Sequence, residues 1–153
     1  MLNLADFEKI KEITEEFFKK ATFEVEIELL PQKNLTLPIN LKVEEPQILI
    51  GEGGKTLLEI QHLLKAILKR KIEGNFYLDL DINNYKKKKI EYLKELARSI
   101  ADEVALTKKE KKLAPMPAYE RRIIHLELAG RPDVTTESIG QEPERSIVVR
   151  PYP

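Results

Sequence analysis

Arg121 and His125 stand four positions apart in Ala118-Tyr119-Glu120-Arg121-Arg122-Ile123-Ile124-His125, a stretch with a helical apolar pattern. On a helix, positions i and i+4 share one face. The pair would therefore aim a planar cationic fork and an imidazole at one spot. Neither side chain suits a dry core, which predicts that the spot lies at the surface. Phosphate is the ligand this chemistry favours: arginine grips it through two parallel donors, and imidazole adds another. Arg122 either joins the pair or binds an acid such as Glu120.

A second chemical stretch is Ile50-Gly51-Glu52-Gly53-Gly54-Lys55-Thr56-Leu57. Gly51 and Gly54 frame a tight loop that opens a helix. Backbone N–H groups there are free to meet an anion, and absent side chains allow close approach. The spacing is too short for a Walker loop, and neither a preceding strand nor G-x-G-x-x-G supports a dinucleotide fingerprint. With His62 and His125 as the only histidines and no cysteine, no metal or cofactor is expected.

The elements that position these groups follow from periodicity. Phe7, Ile10, Ile13, Phe17 and Phe18 recur at helical spacing from Leu4 to Ala21. Phe23, Val25, Ile27 and Leu29 then alternate with Glu24, Glu26 and Glu28, a half-buried strand. A turn at Pro31-Gln32-Lys33-Asn34 leads to a second alternation from Leu35 to Val43. Pro38 predicts that this strand is at an edge or broken. Leu57, Ile60, Leu64, Ile67 and Leu68 mark a helix after the glycine loop, and Phe76, Leu78, Leu80 and Ile82 a third strand. Asn83-Asn84 is expected to cap a helix running from about Tyr85 to Leu106. Pro115 and Pro117 precede the Arg121–His125 helix, which ends near Gly130. Short strands are expected at about Val134–Ile139 and Ser146–Arg150. The fold class is α+β: a three-stranded sheet with helices in residues 1–83, then a small α+β domain in residues 84–153, with no flexible linker between them.

The 153 residues carry 26 basic and 26 acidic side chains, so net charge is zero. The balance hides an asymmetry: residues 1–83 hold 11 Lys+Arg against 15 Asp+Glu, and residues 84–153 hold 15 against 11. The footprint for a polyanion is expected in the second half. Glu24, Glu26, Glu28, Asp79 and Asp81 should line an acidic sheet face with Tyr77 as its one aromatic, which argues against a base-stacking sheet platform. No run approaches the ~20 apolar residues of a membrane span, and the N-terminus shows no signal-peptide pattern. A cytoplasmic protein is expected.

The pattern Ile-Gly-x-x-Gly-x-x-Leu-x-x-Ile, here Ile50 to Ile60, resembles the signature of KH domains, whose loop clamps single-stranded nucleotides. Met116 to His125 resembles the R-3-H domain, named for Arg-x-x-x-His, and the likeness continues through Val134–Gly140 and Arg145–Val149. KH followed by R-3-H resembles the Jag (SpoIIIJ-associated, KhpB-like) family of bacterial RNA-binding proteins over residues 22–150. The junction Asp81-Ile82-Asn83-Asn84-Tyr85-Lys86 resembles that family too. The resemblance implies non-catalytic binding of single-stranded RNA, with single-stranded DNA a second candidate ligand, and a role in post-transcriptional regulation. A further protein partner, such as another KH protein, is open.

The implied contacts are Gly51, Glu52, Gly53, Gly54 and Lys55 in the loop, and Arg121, Arg122, His125 and Arg145 in the second half. Lys86 and Lys87 join them. They open a helix where cations oppose the macrodipole, so a purely structural helix gains little from them. Two departures stand out. Glu52 and Gly53 hold the loop's variable positions, where family members usually place at least one basic residue; the carboxylate weakens the loop, and Lys55 compensates in part. Where the family has a separate N-terminal domain, a helix over residues 4–21 is expected here. The alternative reading is a protein-interaction adaptor that kept the fold with weak RNA affinity. A nuclease would need a partner for His125 that the sequence does not supply.

Overall fold

The computed structural model describes residues 1–153. The chain divides into two compact units, Met1–Lys86 and Lys87–Pro153. Both are mixed α+β. No helix is long and apolar enough to cross a membrane.

The first unit opens with α1 (Leu4–Lys20), started by a reciprocal cap: the Asn3 side chain accepts from Asp6 N–H and the Asp6 carboxylate accepts from Asn3 N–H, both at 2.9 Å. Its core residues Ile10 and Phe18 are fully buried, each contributing roughly 1.5–3 kcal/mol. Strands β1 (Glu26–Leu29), β2 (Thr36–Lys42) and β3 (Tyr77–Ile82) form a sheet in the order β1-β2-β3. β1 and β2 are antiparallel, joined by residues 30–35. β2 and β3 are parallel, which requires a long crossover; α2 (Gln47–Ile50) and α3 (Lys55–Lys71) supply it. Leu37, Ile39 and Leu41 of β2, Leu78, Leu80 and Ile82 of β3, and Leu57, Leu64 and Leu68 of α3 close the core.

Two expectations are corrected here. β2 runs unbroken through Pro38 and is the central strand. Pro38 is tolerated because β1 pairing stops at Leu29, opposite Ile39. The Pro38 carbonyl still accepts from Leu30 N–H at 3.1 Å, so the proline's missing donor costs one bond at the end of the ladder. Asn83 and Asn84 do not cap the next helix with their side chains. Both adopt positive φ in the turn, and the Asn83 amide instead bridges both backbone groups of Val43. The capping acceptor is Asp81, whose carboxylate takes Lys86 N–H at 3.0 Å. Of the five acids expected on the sheet face, Glu24, Glu26, Glu28 and Asp79 are exposed, as is Tyr77, whereas Asp81 is half-buried and turned to the start of the next helix.

Helix α4 (Tyr85–Thr107) begins in the first unit and continues into the second. There it contributes Leu93, Ala97, Ile100, Ala101 and Val104 to a separate core with Ile124, Leu128, Val134, Ile147 and Val149. The other elements are β4 (Lys111–Lys112), α5 (Ala118–Leu128), β5 (Val134–Ile139) and β6 (Ser146–Pro151), with sheet order β4-β6-β5. The two-residue strand β4, antiparallel to β6 at Val148 and Val149, has no periodic signature and was not expected from sequence. Its length explains this: alternation needs about four residues to register.

Candidate functional site

Pro117 sets the start of α5: its fixed φ of −60° suits the boundary, and its carbonyl accepts from Glu120 and Arg121 N–H. The helix then turns Ile124 and Leu128 inward, leaving Ala118, Arg122 and Leu126 along the rim of an open concavity. Arg121, His125 and Ser138 also line it, with Glu142 and Arg145 from the segment between β5 and β6. The four residues expected to hold phosphate in the second half are therefore brought together.

Arg121 departs from expectation. It is only 7% exposed, not a surface residue. Its Nη1 donates to the Met116 carbonyl at 2.6 Å and its Nη2 to Glu142 Oε1 at 2.9 Å. A buried guanidinium needs such partners, because an unpaired one would retain its desolvation cost. Arg122 is exposed on the helix and makes no ion pair. Glu120, the acid expected as its alternative partner, is buried and faces Lys89 Nζ at 3.8 Å. Arg145 is half-buried, its Nη1 donating to the Gly140 carbonyl at 3.3 Å.

His125 is held between two hydroxyls of β5, Nδ1 against Thr136 Oγ1 at 2.6 Å and Nε2 against Ser138 Oγ at 2.9 Å. Residues two apart on a strand face the same side, and these two orient the ring. Burial, followed by the charge of Arg121, holds the imidazole below its ordinary value of 6.5. It is thus neutral at pH 7, and the positive charge of the concavity comes from the three arginines.

The glycine loop lies between α2 and α3, as a single 3-10 turn over Glu52–Gly54. Gly51 has φ 71° and ψ 179°, a conformation that only glycine adopts readily. A Cβ there would stand 2.1 Å from Thr56 Oγ1, and one on Gly54 would stand 3.1 Å from Tyr85 Cε1. Gly51 is therefore demanded by its neighbour, and Gly54 by its left-handed φ of 82°. Glu52, Gly53 and Lys55 are exposed at the tip. No side chain caps the first turn of α3, which leaves its partial positive charge available to an anion. Gly54-Lys55-Thr56 has the ending of a Walker loop, but helix α2 rather than a strand precedes it, and only two residues separate Gly51 from Gly54.

Lys86 and Lys87 have different fates. Lys86 Nζ donates to Asp79 Oδ1 and to Gln61 Oε1, both at 2.8 Å. Lys87 is exposed with no such partner. Sequence reasoning missed Glu142, Thr136 and Ser138. The two hydroxyls carried a readable signal, their i, i+2 spacing on an expected strand. Glu142 carried none.

The family model of the R-3-H domain matches residues 91–151. The chain is 34% identical over 143 residues to the RNA-binding protein KhpB of Clostridium symbiosum, covering 93% of this chain and 64% of that protein. It is 37% identical over 111 residues to the KhpB of Lactiplantibacillus plantarum, covering 72% of this chain and 34% of the relative. For the KhpB of Bacillus subtilis the identity is 35% over 116 residues, with 74% and 56% covered. The chain thus spans less than two thirds of the length of these relatives. Along most of its own length the chain is similar to RNA-binding proteins named KhpB, of the Jag family, and its second unit carries the R-3-H domain.

Proposed function

We propose that this chain binds single-stranded RNA without catalysis, holding phosphates in the concavity beside α5 and a short stretch of strand at the glycine loop. The observation that carries the reading is the convergence of Arg121, Arg122 and Arg145 around one open surface with a single carboxylate, Glu142. Such a surface suits the phosphate backbone, which is the dominant and sequence-independent source of affinity. The similarity to relatives named RNA-binding protein KhpB supports it. Residues 1–83 would act as a KH-like module through Gly51, Glu52, Gly53, Gly54 and Lys55, and residues 84–153 as the R-3-H module, with Lys87 at the start of α4 in addition. Two modest sites on one chain raise overall affinity wherever one strand reaches both. Phosphate contacts alone do not separate RNA from DNA, since only the 2′-hydroxyl distinguishes them, so single-stranded DNA is the natural competitor. A role in post-transcriptional regulation, in a cytoplasm whose reducing conditions suit a cysteine-free chain, completes the reading.

The test is fluorescence polarisation of a labelled unstructured RNA with the full chain, titrated with salt from ~50 mM, where electrostatic attraction is strongest. Binding that weakens steeply with salt is expected, and the RNA should remain intact in magnesium. Glu52→Lys should tighten it if the loop touches the strand. A second reading, an adaptor for another protein, draws on Glu52 at the loop tip and on Lys86 being tied to Asp79 and Gln61. Absence of binding at ~50 mM salt would favour it.

A further inference from the structure

We propose that Glu142 is an internal competitor for the RNA phosphate, occupying Arg121 in the free protein and displaced when RNA binds. The idea rests on reading the concavity as a phosphate site. Arg121 Nη2 meets Glu142 Oε1 at 2.9 Å, yet the two side chains differ sharply in exposure, 8% for the arginine and 59% for the glutamate. Here the guanidinium is already anchored by the Met116 carbonyl at 2.6 Å, whereas the carboxylate lies on the open side. Water can take over its solvation at little cost.

Carboxylate and phosphate each offer an anionic oxygen to the one donor Glu142 occupies, Arg121 Nη2, so a phosphate oxygen replaces Glu142 Oε1 while Nη1 stays on the Met116 carbonyl. Glu142 is the one acid among the residues lining the concavity. The exchange has a consequence for specificity. A lone phosphate must offset the lost Arg121–Glu142 contact by itself. A strand offsets it with further phosphates on Arg122, which has no ion-pair partner, and on Arg145. Glu142 therefore biases the site towards polynucleotides over free phosphate or mononucleotides.

Polarisation with labelled oligouridylate tests this on the full chain. Glu142→Gln keeps shape and an acceptor while removing the charge. It should tighten binding by roughly two- to five-fold, the range for a partly exposed ion pair, and improve binding of inorganic phosphate as well. Glu144→Gln removes the same charge from the same segment without contacting Arg121, and should change affinity much less. Equal effects of the two variants, or weaker binding by Glu142→Gln, would overturn the proposal. The parallel variant Arg122→Ala separates the failures. If it still loses affinity, the phosphate site stands and only the competitor falls; if it does not, both fall together. Should Glu142→Gln fold poorly, carbon-13 NMR of the wild-type carboxylates decides the matter. Addition of RNA should shift the Glu142 signal, and a stationary Glu142 alongside a moving Arg122 side chain would overturn the proposal.

Discussion

Arg121 Nη1 donates to the carbonyl of Met116, tying the body of α5 to the backbone five residues upstream through a buried 2.6 Å contact. The residue that first suggests phosphate chemistry is thus also a fastening of the fold. Arg121→Ala would leave that carbonyl without its partner and open a cavity beneath α5. The expected loss is about 2–4 kcal/mol of unfolding free energy, read from urea denaturation. Arg122→Ala, at an exposed position, should stay within about 0.5 kcal/mol of wild type. Similar stabilities for the two variants would contradict the buried role.

Because of this, the clean probes of binding are Arg122 and Arg145. Each alanine variant should lower RNA affinity several-fold while leaving the fold intact. Each should also reduce the slope of log affinity against log salt by about 0.7, the value for one single-strand phosphate contact. An unchanged slope would remove that arginine from the contact set.

His125 gives a pH signature with a definite sign. Its folded-state pKa lies below 6.5 through burial and the charge on Arg121, while the unfolded chain titrates near that ordinary value. Between the two, the unfolded state binds more protons, so the contribution to stability is full above about pH 6.5 and is lost as pH falls through the depressed value. Wild type should therefore lose stability relative to His125→Asn on going from about pH 7.5 to about pH 5. A constant gap between their denaturation midpoints would contradict this account. Bound phosphate should raise the His125 titration midpoint, which proton NMR of the ring reads directly.

In the glycine loop, Gly51→Ala should destabilise the first unit by about 2 kcal/mol or more, since the added Cβ meets Thr56 Oγ1 at a glycine-only conformation. Gly53→Ala meets nothing within 4 Å and should cost only the left-handed φ penalty of about 1 kcal/mol. Thermal melts that rank the two variants in the opposite order would refute the loop geometry.

The lysines at the start of α4 divide in the same way. Lys86→Ala should leave RNA affinity nearly unchanged, because its charge is already spent on Asp79 at 2.8 Å. Lys87→Ala should weaken binding and flatten the salt dependence. Equal effects would mean that Lys86 leaves Asp79 for RNA.

Much of the architecture was legible in the chain itself. The alternation that gives β1 (of the expected Phe23 to Leu29, only Glu26–Leu29 forms strand) and that of Phe76 to Ile82, the helical spacing from Leu57 to Leu68, and the prolines before α5 are local patterns. A strand or helix reports its own period within a few residues. The family expectation is borne out by the R-3-H domain over residues 91–151 and by relatives named KhpB. Pro38 misled because a proline reports only its own missing donor. Whether that donor is needed depends on where the neighbouring strand β1 stops, and Leu29 is not local to it.

What the amino-acid order determined by itself was the succession of elements, their apolar faces, and the placing of Arg121 and His125 on one side of one helix. Only the tertiary structure decided what lies across from that side. It buried Arg121 against Met116 and set His125 between Thr136 and Ser138. It also brought the Glu142 carboxylate, twenty-one positions away, onto the arginine fork. Periodicity names the face a side chain occupies. Burial, pairing and proton affinity are set by whatever distant segment packs against that face, and no local pattern encodes it.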